Sequence, residues 1–108
     1  MNAPFVTRLR ARPSTIRLPD AGADAITIRV EVAEVWDAVR IEAAPTEAVL
    51  AVKRCALEAL LPSAGSPDDF VVKLHGWEVL DEHQTLAAAG AVDGSILLLG
   101  YRRRRALR

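Results

Sequence analysis

Two neighbouring stretches alternate apolar and polar residues almost without a break. ITIRVEV puts Ile26, Ile28, Val30 and Val32 on one side and Thr27, Arg29 and Glu31 on the other. WDAVRIEA sets Val39, Ile41 and Ala43 against Ala38, Arg40 and Glu42. A period of two is the signature of a half-buried strand. The short link near Glu34-Val35 joins the two as an antiparallel hairpin, without an Asn-Gly type turn signal. A hairpin with one apolar face needs something to lay against that face, and the next segment offers it.

PTEAVLAVKRCALEALLP carries Val49, Val52, Ala56, Leu57 and Leu60 at helical spacing, one apolar stripe. Thr46 is the expected N-cap with Glu47 in the first turn, and Pro62 is the stop. SAGSPDD reads as loop. FVVKLHG reads as a third strand, with Phe70, Val72 and Leu74 on one face and Val71 and Lys73 on the other. WEVLDEHQTLAAAGAVDG is expected to be mostly irregular, pinned to the core by Leu80 and Leu86, with turns at Gly90 and Asp93-Gly94. SILLLGY closes as a last strand, apolar on both faces as expected of a central strand flanked on both sides. One helical stripe and one apolar sheet face are buried most economically by a mixed sheet curled around the helix.

With 108 residues there is room for one domain. No apolar run approaches the roughly 18–20 residues needed to cross a bilayer, so the chain is not expected to span a membrane. The N-terminal stretch is basic without a continuous apolar core, which argues against a secretory signal and leaves an organellar transit segment open. Cys55 is the only cysteine, so no internal disulfide can form, and a cytoplasmic setting is expected. Twelve arginines against two lysines, with abundant alanine, suggest a GC-rich bacterial source.

The zero formal net charge hides a segregation. Residues 20–101 hold five basic residues and all fourteen carboxylates, a net of −9. The two ends hold nine arginines and no acid. That is the pattern of an acidic globule with basic arms. The expected organisation is a basic, disordered arm over 1–24, a domain over 25–101 and a basic tail over 102–108.

At this point the chain resembles ubiquitin and its relatives, the β-grasp family. Pro45, Thr46, Glu47, Val49, Val52 and Lys53 fall on the family's helix entry without a gap. VVKLHG resembles the third strand with its turn at Gly76. Thr85-Leu86, Gly90 and Asp93-Gly94-Ser95 resemble the approach to the final strand. One residue is inserted between Gly76 and Leu80, and the loop Pro62–Asp69 is remodelled. The resemblance covers about Ile26 to Arg104. It implies an α+β, ubiquitin-like β-grasp fold, a mixed four- to five-stranded sheet on one main helix in the order ββαβ-β.

The departures bear on function. Conjugated members of the family end in Gly-Gly, which threads a narrow channel because it has no side-chain bulk. Here those positions fall near Arg105 and Ala106, and no Gly-Gly occurs in the sequence. Gly-Gly-dependent conjugation is therefore not expected. The aliphatic patch through which ubiquitin is recognised aligns with Lys73, Leu98 and Gly100, and a lysine at its centre argues against the usual ubiquitin-binding domains. Trp36, His75 and Trp77 lie at turns near that face, with Val71 and Leu98 pointing outward. Trp is enriched at interaction hot spots. The alternative for either tryptophan is a cap on the edge of the core.

No catalytic constellation is evident, and the chain is expected not to be an enzyme and to take no cofactor or metal. His75 and His83 lack metal-ligand spacing and read as solvated loop residues. Cys55 reads as a small, partly buried helix residue, with no cation to lower its pKa. Lys53 is expected on a solvated helix face near Glu47 or Glu58. Asp68-Asp69 and Asp81-Glu82 read as solvated loop acids.

The leading expectation is a non-catalytic protein–protein adaptor whose sheet face (Arg29, Trp36, Val71, Lys73, His75, Trp77, Leu98) makes the contact. The functional analogue is the YukD/EsaB-type ubiquitin-like protein of type VII secretion, similar in size, fold and missing Gly-Gly. A second expectation is binding of a polyanion (nucleic acid or anionic lipid) or of an acidic partner protein through Arg102, Arg103, Arg104 and Arg105, with Tyr101 available to stack on a base. A third is a modifier of a bacterial ubiquitination-like pathway that uses a terminus other than Gly-Gly.

Overall fold

The alternating runs form the hairpin that their period requires. In the computed structural model, which describes residues 15–63 and 66–102, they are β2 (Ile26–Val32) and β3 (Asp37–Ala43), paired antiparallel from Ile26↔Ala43 to Val32↔Asp37. A 3-10 turn, Ala33–Val35, and Trp36 in the left-handed conformation join them. The helix α1 (Val49–Leu60) follows, then β4 (Phe70–Leu74) and β6 (Ile96–Tyr101). β6 lies between β2, to which it is parallel, and β4, to which it is antiparallel. Ile28, Ile41, Val52, Phe70, Leu97 and Leu99 are wholly buried between the sheet and α1. This is an α+β, ubiquitin-like β-grasp fold.

Among the described residues the sheet has six strands rather than four or five: with β1 (Thr15–Arg17) and β5 (Trp77–Glu78) at its edges, the order is β1-β3-β2-β6-β4-β5. The two additions are short and carry no readable alternation. β5 (Trp77–Glu78) folds back on β4 through a two-residue turn in which His75 and Gly76 both have positive φ, 55° and 85°. β1 (Thr15–Arg17) lies parallel to β3, with Thr15 beside Arg40 and Arg17 beside Glu42. The boundary drawn at residue 24 is therefore corrected: Ile16 and Leu18 pack on the core, and Arg17 donates to the Glu42 carboxylate at 2.8 Å. The rest of the basic arm, residues 1–14, lies outside the described residues.

Five further expectations are corrected. Thr46 is not the N-cap: Ala48 is, and its side chain makes no capping bond. Backbone carbonyls cap the helix instead, since Val49 N–H donates to Gln84 O and Leu50 N–H to Glu82 O. Those bonds satisfy donors that would otherwise be orphaned at a helix start. The segment after β5 does contain a helical turn, α2 (Leu86–Ala89), which Thr85 caps through its hydroxyl. Leu86 is buried as expected, but Leu80 is 84 % exposed and Val79 takes the inward place. Val79 N–H continues the ladder to Val72 O, so the next residue points away. β6 is central in the sheet plane, but its outer face is open, with Ile96 and Leu98 exposed.

The fifth concerns Lys53, which is not on a solvated face. It is fully buried, and its Nζ donates to Phe70 O at 2.7 Å and to Glu82 Oε1 and Oε2 at 2.8 and 3.0 Å. Every proton of the ammonium has an acceptor, as a buried charge requires. The pair ties α1 to the same segment whose carbonyls cap it. Pro62 does mark the stop. Leu61 leaves the helical region just before it, as a residue preceding proline does, while its N–H still reaches Leu57 O.

Candidate functional site

One helix can cover only one face of a sheet. The other face is formed by the polar half of each alternation, and the register fixes its layout. Leu98 lies at the centre, with Glu31 of β2 on one side and Lys73 of β4 on the other. Ala38 and Glu78 extend that row outward. One row over, Ile96 stands beside Arg29, which faces Arg40. On the other side of Leu98, Val71 faces Gly100.

Leu98 lines three adjoining open depressions. The first runs toward Arg29, Ala38 and Trp36. The second runs toward Lys73, His75 and Ile96. The third runs toward Val71, Lys73, Tyr101 and Arg102. The fold thus gathers Arg29, Trp36, Val71, Lys73, His75 and Arg102 around one exposed leucine, while Tyr101, opposite the buried Phe70, turns its ring to the other face of the sheet. Trp77 is not among them. It is 79 % exposed, but it stands opposite Leu74, on the side that Leu74 turns to the core, and it lines none of these depressions. Arg103, Arg104 and Arg105 lie outside the described residues.

Sequence reasoning missed Ile96, Arg40 and Glu31. Each could have been placed by carrying the hairpin's alternation across to β6.

The start of the arginine tail is held by the body. Arg102 N–H donates to Asp69 O at 2.7 Å and its Nε to Asp68 O at 3.1 Å, while Nη1 lies 3.8 Å from the Glu78 carboxylate. Tyr101 stacks on Phe70 with ring centroids 4.5 Å apart. One face of the ring that could have received a base is therefore already covered. On the outer face Arg29 Nε donates to Glu31 Oε2 at 2.9 Å, an exposed pair of the kind worth little by itself.

Cys55 is half-buried on α1. Burial, and secondarily the Glu58 carboxylate, push its thiol pKa up. Since the thiolate is the nucleophile, Cys55 should react with iodoacetamide at pH 7–8 more slowly than an unstructured cysteine peptide. The rate should rise toward the peptide's on unfolding, and equal rates in the native chain would contradict the assignment. Among the described residues no group of three or more His, Cys, Asp or Glu is placed to hold a metal. No helix among them is long and apolar enough to cross a membrane.

This architecture is shared with solved structures of low sequence identity. The ubiquitin-like domain of an Arabidopsis thaliana protein superposes with a TM-score of 0.63 at 18 % identity, covering 83 % of this chain and 92 % of its own. The ubiquitin of Caldiarchaeum subterraneum superposes with a TM-score of 0.60 at 23 % identity, covering 76 % of this chain and 99 % of its own. At such identities the likeness is one of fold. No functionally curated protein matches the chain. A family model does match, over residues 21–103, most of the sequence and nearly all of the sheet and helix described above. The chain belongs to the family described as Protein of Unknown function (DUF2604).

Proposed function

We propose that the chain is a non-catalytic protein–protein interaction module that docks through the outer face of its sheet, centred on Leu98. The observation that carries this reading is the place of Leu98: an exposed leucine on a central strand, between Ile96 and Val71 and bordered by Arg29, Trp36 and Lys73. An apolar centre with a charged rim is the usual anatomy of a recognition patch. The aligned lysine at position 73 gives the patch a selectivity different from ubiquitin's own. A cytoplasmic, bacterial setting in a secretion-type assembly, by analogy with the YukD/EsaB type, is the context we favour.

In this reading the arginine tail is accessory. Its first residue is engaged with Asp68, Asp69 and Glu78, and the body around it is acidic. The test is affinity capture from lysate with the intact chain and with a chain ending at Arg102, which keeps the Arg102 contacts. The same proteins should be captured by both. Capture of nucleic acid alone, lost on truncation and falling steeply with salt, would replace this reading with polyanion binding through the tail.

A further inference from the structure

Trp36 sits where a tryptophan is costly. Its φ and ψ are 52° and 40°, the left-handed region that bulky residues rarely enter, and it is 93 % exposed, so no burial offsets the strain. A second unfavourable feature lies beside it. Arg29 and Arg40 face each other directly across the β2–β3 ladder, an arrangement that destabilises an isolated sheet. Glu31 engages only the Nε of Arg29, and Arg40 has no ion pair among the described residues. Both features converge on one depression, lined by Trp36, Leu98, Ala38 and Arg29, with Arg40 next along from Ala38. Backbone strain kept at an exposed site is a pointer to function.

We infer that this depression receives an apolar side chain of an acidic partner segment. Trp36 and Leu98 flank the apolar group, and an adjacent carboxylate of the partner lies on the guanidinium groups of Arg40 and Arg29. The inference rests on the outer face being the docking surface and adds the chemistry of what docks there. A planar guanidinium pairs with a carboxylate in a fork-to-fork geometry, which orients as well as attracts. Glu31 and Asp37 line the same depression, so it tolerates one carboxylate set on the arginines better than the dense charge of a phosphate backbone.

The test is selection of displayed random peptides on the full chain, followed by affinity measurement of the selected peptides. Peptides with an apolar residue next to Asp or Glu should be enriched. Trp36→Gly should weaken their binding about tenfold or more, the scale of one lost hot-spot contact. Its melting temperature should not fall, because glycine relieves the strain. Arg40→Glu should weaken acidic peptides by a similar factor and select Lys- or Arg-bearing peptides in their place. Selected peptides without an acidic preference, or binding indifferent to both substitutions, would overturn the inference. Leu98→Asp separates the two levels. Binding that survives it lies elsewhere, and the outer-face reading fails together with this one. Binding that is lost with Leu98→Asp but indifferent to Trp36→Gly and Arg40→Glu leaves the outer face standing and sinks the partner chemistry alone.

Discussion

Glu82→Ala should destabilise the fold by about 3–5 kcal/mol, the range for breaking a buried ion pair by removing one partner. The Lys53 ammonium is fully buried, and after the substitution it keeps only the Phe70 carbonyl as acceptor. With about 4–8 °C of melting temperature per kcal/mol in a domain of this size, the fall should be about 12 °C or more. Lys53→Met should cost less, although it removes the other half of the same pair. It leaves a linear side chain of similar volume in the site and strands Glu82, whose side chain keeps 15 % exposure and can turn to water. The order of the two is the discriminating result. Denaturant unfolding with unchanged slopes would give it directly. If Lys53→Met cost as much as Glu82→Ala, an unpaired buried ammonium would not be the source of the loss.

That ion pair also shows where the sequence stopped being informative. Lys53 lies four residues after Val49 and one after Val52, inside the apolar arc that periodicity marks as buried. Its residue type argued for solvent, and position was the better guide. A lysine in a buried arc demands an acceptor, but the carboxylate is 29 residues away in a segment with no period of its own. The same distance hid the helix cap. Thr46 fits the local pattern for an N-cap, and carbonyls from residues 82 and 84 do the work instead. Leu80 was misplaced because its side depends on the β4–β5 turn. Once His75-Gly76 is that turn, Leu74 meets Trp77, Lys73 meets Glu78 and Val72 meets Val79, so Leu80 must face out.

By contrast, β2, β3, β4 and the stripe on α1 followed from period alone, because each buries a single face. The docking face was half legible. Val71, Lys73 and Leu98 fall on it by alternation. The approach of Trp36 and Arg102 to the same leucine needed the tertiary fold.

Leu98→Asp should reduce affinity for the physiological partner about a hundredfold or more while leaving the chain folded. Burying a whole leucine contributes roughly 1.5–3 kcal/mol, but Leu98 is 40 % exposed, so the lost burial supplies only about 1 of the about 2.7 kcal/mol in a hundredfold. Desolvating an aspartate against the partner's apolar surface adds to the loss. Folding should suffer by no more than about 1 kcal/mol, the span of strand propensities. Leu98 is already partly exposed, and the new carboxylate would stand between Lys73 and Glu31, whose opposite charges offset each other. The neighbouring Leu97→Asp is the contrast, since Leu97 is wholly buried and a charge there has no partner. Normal melting with lost binding for the first, and lost folding for the second, is the expected pair of results.

The claim that recognition belongs to the outer face is tested most directly by amide chemical-shift mapping of the isotope-labelled chain during titration with its captured partner. Shifts should be confined to the neighbourhoods of Arg29–Glu31, Trp36, Val71–Lys73 and Ile96–Gly100, with α1 undisturbed. Shifts concentrated on α1, or on the arginines beyond Tyr101 with the sheet silent, would contradict it.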